Sequence, residues 1–270
     1  RPFIMLVQML TVMLAFDAPF PEAMTDLYHV MAGMSFGIEV ISPQCIGVGS
    51  NFYSTFLVTL LSLAVIMLAL MSLPIMSVVR KQHTFRSMLQ SAEAAVAFRD
   101  MFVILLLFHP PISGVAMEFF RCREIGGDNY LMADYSLSCY DGTWFAFLAI
   151  DLLVLALFSF GTPFAIAYVL QARKATLYDE ETGEPVPQPL DVLYAIYQPH
   201  AYYYEAVQMC FKLGLWSALV FFDHGSEMQL ATALVINVLQ LCVHLKIEPM
   251  GGEEAALLNL MQAATLVLTA

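Results

Sequence analysis

The chain has 270 residues, 60% of them hydrophobic and only 13% charged, a composition far from that of soluble globular domains, which excludes a water-soluble protein. Its formal net charge of −12, from 11 basic and 23 acidic residues, excludes a nucleic-acid-binding surface, because such a surface needs clustered Lys and Arg. A lipid bilayer is therefore the expected surrounding, and nucleic acid is not an expected partner.

Long apolar stretches alternate with short polar segments along the chain. A hydrocarbon core about 30 Å thick needs about 20 mainly apolar residues per helix. The stretches therefore predict an all-α fold, a polytopic transmembrane helix bundle of about seven spans that forms a single domain over residues 1–270. The predicted spans are residues 3–16, 52–79, 101–117, 143–170, 206–222, 228–245 and 255–270.

Two further segments, residues 25–41 and 188–204, mix polar and aromatic side chains and are predicted to lie as interfacial helices at the level of the lipid headgroups. The sequence opens on Arg1 and stops inside an apolar run. We therefore expect a fragment of a longer protein, with an extracellular N-terminal part and a C-terminal part outside it.

Lys and Arg residues predict the orientation of the spans. Basic groups follow the second and fourth predicted spans, and the positive-inside rule places these two links in the cytoplasm. The residues are Arg80, Lys81, Arg86, Arg99, Arg173 and Lys174. The links at 17–51, 118–142 and 223–227 then face the outside or a lumen.

A single acidic residue, Asp151, lies in the apolar sequence of the fourth predicted span. An ionisable group inside a membrane is costly and is therefore a functional candidate. Asp151 is the strongest candidate for a cation or proton site. The alternative is a carboxylate that is hydrogen-bonded to neighbouring hydroxyl groups or reached by interfacial water.

Polar residues in the fifth and sixth predicted spans form two further sets. Glu205 and Lys212 are seven residues apart and project from one helical face, either bridged by a third residue or with Lys212 snorkelling to the surface. Asn237, Gln240 and His244 share one stripe. That stripe is predicted either to line a wet path or to make hydrogen bonds between helices.

Prolines occur inside two predicted spans. Pro110 and Pro111 lie near the end of the third, and Pro163 lies within the fourth. Proline removes a backbone donor and clashes with the preceding turn, so both helices are predicted to bend or break. The kinks act either as hinges with exposed carbonyls or as purely architectural features, since membrane helices tolerate proline.

Cys122 and Cys139 both lie in the link 118–142, which is predicted to face an oxidising compartment. Such a compartment permits a disulfide between them, and the chain-entropy relation gives about 3 kcal/mol for a loop of this size. The alternative is that all 5 cysteines are free thiols. The sequence contains no CxxC or HxxxH spacing, so neither a metal site nor a cofactor is expected.

Several motifs together are similar to one family of membrane regions. They are residues 17–21 (DAPFP), 43–45 (PQC), 119–124 (FFRCRE), 130–131 (YL), 133–136 (ADYS), Cys139, 161–163 (GTP), 197–205 (YQPHAYYYE) and 212–215 (KLGL). In this combination the chain resembles the TRP-like C-terminal membrane region of large surface proteins of algae and other protists. That region is distantly related to fungal TRP-like and polycystin-like proteins.

The resemblance implies cation conduction or membrane sensing in a plasma or ciliary membrane, with an organelle membrane as the alternative. The expected partners are the bilayer, cations, and other membrane subunits or the protein's own extracellular domains. No link between the last predicted spans supplies a selectivity filter, so a conduction path is expected between helices or along a groove. The alternatives are a structural subunit or anchor, and a lipid or small-molecule transporter. No catalytic motif occurs, so an enzyme is not expected.

Overall fold

The computed structural model describes residues 51–81, 92–222, 226–251 and 255–268. Helical residues make up 73% of it, which confirms a mainly helical fold, but a small three-stranded sheet is also present. The first predicted span, the interfacial segment 25–41 and the basic residue Arg86 lie outside the described residues.

The helices, in chain order, are α1 (Phe52–Lys81), α2 (Ala92–Glu118), α3 (Gly142–Leu153), α4 (Gly161–Ala172), α5 (Asp191–Tyr194), α6 (Tyr204–Phe221), α7 (Glu227–Ile247) and α8 (Ala255–Leu268). A π-helical segment, Val154–Phe160, joins α3 to α4 without interruption. Short 3₁₀ turns occupy Lys174–Thr176 and Pro199–Ala201.

Within the described residues, four helical stretches are long and apolar enough to cross a membrane: Phe52–Ser72, Glu93–Glu118, Gly142–Ala172 and Glu227–Ile247. They agree with four of the predicted spans, and this supports a membrane protein. The predicted span at 206–222 corresponds to α6, which is less apolar because it carries Glu205, Gln208 and Lys212. Burial accounts for this difference, since all three side chains face the interior of the bundle.

The link between α2 and α3 departs from an all-α fold. It forms an antiparallel sheet in the order β1 (Cys122–Ile125), β2 (Asp128–Leu131) and β3 (Asp134–Ser138). A disulfide joins Cys122 to Cys139, with their Cα atoms 6.3 Å apart. Strands of four or five residues are near the lower limit of strand length, so they carry little sequence signal.

The sheet covers one end of the bundle, where the ends of three helices meet. We name this end the sheet end. Leu131 and Cys139 pack with Phe119, Trp144 and Phe52 in one buried cluster. In addition, the amide of Phe52 donates to the Asp134 carboxylate at 3.0 Å, so the first residue of β3 caps the first turn of α1. The disulfide closes the sheet on itself, whereas the buried cluster and this hydrogen bond hold the sheet on the helices.

The opposite end of the bundle, which we name the link end, contains the segment predicted as an interfacial helix over 188–204. That prediction is wrong in its extent, because the segment folds as α5 and a 3₁₀ turn instead of one helix. Its backbone pairs with the link after α7: Gln198 donates to the Pro249 carbonyl and Gly251 to the Ile196 carbonyl. Pro199 and these hydrogen bonds divert the chain from a helical path.

Helix α6 lies at the centre of the bundle, in contact with α2, α4 and α7. Its contact with α2 is close because of one glycine. A Cβ atom built on Gly114 would lie 2.6 Å from the ring of Trp216, whereas one on Gly214 would meet Ile236 at 3.8 Å, an ordinary contact. Small residues allow such close approach between membrane helices.

We predict that Gly114→Ala lowers thermal stability, because the Trp216 ring must move to admit a methyl group; overpacking of this kind costs about 1–3 kcal/mol. Gly214→Ala is the matched control and should be neutral or slightly stabilising, since Ala favours helix. Melting of both variants in detergent micelles measures the difference. Equal melting temperatures for the two variants would contradict the close packing of α2 on α6.

We also predict that Asp134→Ala weakens the sheet end by about 1 kcal/mol, the usual cost of a lost N-terminal cap. Partial burial acts to raise the pKa of Asp134, but hydrogen bonds from Ser136 and the Phe52 amide hold it below its usual range. The stabilisation is therefore complete above the unfolded pKa of about 3.9 and is lost as pH falls through the folded pKa.

Melting of this variant at neutral and at acidic pH tests both statements. The difference from wild type should be present at neutral pH and should vanish in acid. Asp128→Ala removes an exposed carboxylate of the same sheet and should have little effect at either pH. A pH-independent loss for Asp134→Ala would show that the carboxylate does not act through its charge.

Candidate functional site

Polar side chains are buried in the interior of the membrane-spanning bundle. Their cost in hydrocarbon makes them the candidates for function. On α2, α3, the π segment and α6 they are His109, Ser113, Asp151, Ser159, Glu205, Gln208 and Lys212, which we name the central polar cluster. On α7 they are Gln229, Asn237, Gln240 and His244, which we name the α7 stripe.

Pro163 explains one hydrogen bond of the central polar cluster, the bond between His109 and the Ser159 carbonyl. It has no N–H for the carbonyl of Ser159, which lies four residues earlier. The ring of His109 on α2 approaches that carbonyl, with Nε2 at 2.9 Å from the oxygen. Since a carbonyl only accepts, Nε2 carries a proton and donates it to this hydrogen bond. The proline thus makes a backbone acceptor available to a neighbouring helix.

The π segment lies directly before Pro163, and Gly161 fits its geometry. A Cβ atom on Gly161 would lie only 3.0 Å from the carbonyl oxygen of Ala156. Single π turns inside α-helices often occur at functional sites. The predicted break at Pro163 is therefore a widened but continuous helix, and α2 likewise continues through Pro110 and Pro111.

His109 has one ring nitrogen left over. Its Nδ1 atom is buried and has no hydrogen-bond partner among the described residues. The ring lies 5.6 Å from the ring of Phe158. Since Nε2 carries the proton, Nδ1 is left as a buried acceptor that receives no hydrogen bond from the described residues.

Lys212 and Glu205 occupy the link-end half of the central polar cluster. Lys212 is 4% exposed, so it does not snorkel to the surface, and it interacts electrostatically with Glu205. The hydroxyl of Tyr197 donates to the Glu205 carboxylate at 2.7 Å. A buried charge pair with an extra hydrogen bond is far less costly than a lone charge.

Asp151 occupies the other half, toward the sheet end. Its side chain is 0% exposed, and neither carboxylate oxygen has a hydrogen-bond partner within the described ranges. Ser159 lies about two helical turns further along the same buried face. Its hydroxyl also has no hydrogen-bond partner among the described residues. The described residues therefore give Asp151 no hydroxyl partner, and the other predicted alternative, contact with interfacial water, stays a prediction.

The α7 stripe has a different character. His244 is saturated: the Tyr204 hydroxyl lies 3.0 Å from Nδ1, and Nε2 lies 3.0 Å from the Asn259 carbonyl oxygen. Asn259 in turn accepts from the amide of Met250 through its side chain. Since both ring nitrogens have fixed partners, His244 joins α6, α7 and α8 and is a structural residue.

Sequence reasoning singled out Asp151, Glu205 and Lys212 but missed His109, Ser113, Ser159 and Gln208. A signal was available for two of them. His109 directly precedes a Pro-Pro pair in an apolar span, and Ser159 lies four residues before Pro163. A proline frees the carbonyl four residues earlier, so this spacing indicates where a partner from another helix is needed.

No family model, no curated protein and no solved structure matches the chain. The resemblance to TRP-like membrane regions accordingly stays a prediction from the motifs. Within the described residues, no group of three or more His, Cys, Asp or Glu is placed to hold a metal ion.

We predict that His109→Ala lowers stability by about 1–3 kcal/mol, the cost of leaving a buried polar group unpaired. Adding Pro163→Ala should recover part of that loss, since the new amide can bond to the Ser159 carbonyl. Melting of both single variants and of the double variant forms a cycle that measures the coupling. Additive losses would contradict the role assigned to the proline.

Proposed function

We propose that the protein moves protons across a membrane through the central polar cluster, with Asp151 as the proton-binding carboxyl group. The observation that carries the proposal is the isolation of Asp151 inside a membrane-spanning helix. Both carboxylate oxygens are buried and lack partners in the described structure. The sequence predicts conduction of cations in general, and the proposal restricts it to the proton.

The energetic argument concerns the two states of this side chain. An unpaired carboxylate in a low-dielectric interior is costly by several kcal/mol, and the charged group is relieved either by a bound cation or by protonation. Among the described residues, no hydrogen-bond donor reaches either carboxylate oxygen of Asp151. A proton is the smallest species that removes the charge without further ligands.

The remaining cluster residues support a route from Asp151 toward the link end. Ser113 and Ser159 offer buried hydroxyl groups, and His109 offers the unpartnered Nδ1. Gln208, Lys212 and Glu205 follow along one face of α6, and Tyr197 bonds to Glu205. Chains of Asp, Glu and His residues of this kind carry protons in membrane pumps and transporters.

The number of ligands favours a proton over a metal cation. Ca²⁺ needs six to eight oxygen ligands, of which Asp151 supplies at most two. A proton needs only one acceptor at each step.

We predict that Asp151→Asn abolishes proton flux while the protein stays folded. The chain is reconstituted in liposomes that contain a pH-sensitive dye, and a potassium gradient with valinomycin drives protons inward. Wild type should acidify the lumen, and Asp151→Asn should do so at least tenfold more slowly. Asp128→Asn, the same change at an exposed position of the sheet, is the control and should match wild type.

Equal flux in wild type and Asp151→Asn would overturn the role of this carboxyl group. No flux in folded wild type would overturn proton movement itself. A sodium or potassium flux that depends on Asp151 would replace the proton with a metal cation.

A second candidate function is that of a membrane anchor for an extracellular assembly, and the sheet end favours it. The disulfide-closed sheet exposes Ile125, Tyr135 and Tyr140, which are apolar or aromatic side chains on a rigid support. Under this function Asp151→Asn should leave surface level and assembly unchanged. Replacing the three exposed side chains by Ser should instead disrupt assembly.

A further inference from the structure

An open groove runs along the apolar surface of the bundle between α4, α6 and α7. Its volume is about 400 Å³, and its lining contains no charged residue. Ala167, Ala206 and Gly214 give the groove its depth, because their side chains are small or absent. Phe164 and Leu239, at its sides, are strongly exposed, so the groove opens toward the surface that faces hydrocarbon.

The position of the groove defines the chemistry of what fills it. Phe164 lies in Gly142–Ala172 and Leu239 in Glu227–Ile247, two of the stretches apolar enough to span a membrane. Water does not stably fill an apolar space, and the surrounding medium there is lipid acyl chains. An acyl chain is therefore the occupant that the lining accepts.

Positive charge lies at one end of the groove. Arg173 and Lys174 directly follow α4 and are exposed at the link end. Nζ of Lys174 lies 5.5 Å from the ring centre of Tyr202, whose ring centre is 5.2 Å from that of Tyr203, a groove residue. The Tyr202 hydroxyl also donates to Gln171 on α4. These contacts hold the cation close to the end of the groove.

The two features together match one class of lipid. Basic residues beside a gap between membrane helices bind phosphate headgroups, and Tyr is enriched at the level of those headgroups. We propose that the groove is a binding site for an anionic phospholipid, with one acyl chain against Gly214 and the headgroup phosphate at Arg173 and Lys174. This site is separate from the central polar cluster and does not depend on the proposed proton movement.

Gly214 provides a direct way to close the groove. A Cβ atom built there meets only Ile236, which is another groove residue, so a larger side chain projects into the groove. Gly214→Leu should therefore block the acyl chain, whereas Arg173→Gln with Lys174→Gln should remove only the headgroup contact. The two kinds of variant separate chain binding from charge recognition.

The test uses native mass spectrometry of the chain in mild detergent, titrated with phosphatidylglycerol or with phosphatidylcholine of the same acyl chains. Wild type should bind phosphatidylglycerol at least fivefold more tightly. Gly214→Leu should lose binding of both lipids, and the double Gln variant should bind both equally. Arg123→Gln, at the sheet end, and Val235→Phe, on exposed α7 surface outside the groove, are controls that should match wild type.

Equal binding of the two lipids by wild type would overturn the recognition of charge. Undiminished phosphatidylglycerol binding by folded Gly214→Leu would overturn the groove as the site. If Gly214→Leu does not fold, Ala167→Phe fills the same groove from α4, and its loss or retention of lipid decides the question in the same way.

Discussion

The hydrogen bond between His109 and the Ser159 carbonyl depends on a missing atom, the amide hydrogen that Pro163 cannot supply. Without that vacancy the carbonyl would already accept from its own helix, and the His109 ring would have only its second lone pair to bond to. The bond fixes α2 against the π segment and determines which ring nitrogen holds the proton. The other nitrogen, Nδ1, is consequently left buried without a hydrogen-bond partner among the described residues.

The bundle tolerates many polar groups because neighbouring helices cover them. Helix α6 contributes Glu205, Gln208 and Lys212 to the interior and is covered by α2, α4 and α7, so its polar face never meets lipid. A conventional soluble core would exclude these residues, whereas a membrane protein has apolar surroundings outside and can concentrate polarity inside. His244 has a hydrogen-bond partner at each ring nitrogen and holds helices together. His109 has one at Nε2 only, so its Nδ1 is available for chemistry.

Much of the fold follows from the pattern of apolar residues, and the exceptions have physical causes. The spans containing Asp151 and Asn237 are evident from hydropathy because one side of each helix faces lipid. The sheet was not predicted, since its strands are very short and its stability comes from a disulfide and from packing on Phe119 and Trp144. The site was predicted in part: a lone Asp in an apolar run is visible in the sequence, but the pairing of His109 with Ser159 joins residues 50 positions apart and is set by tertiary packing.

The cap on α1 has a consequence for biosynthesis. Phe52 emerges from the ribosome long before Asp134, its partner 82 residues later, and Cys122 must wait for Cys139. The Phe52 amide therefore stays without this acceptor until α2 and the first two strands have been synthesised, and the disulfide needs an oxidising compartment to form. The sheet end therefore closes only after both cysteines have been synthesised and oxidised, later than α1 and α2 are made.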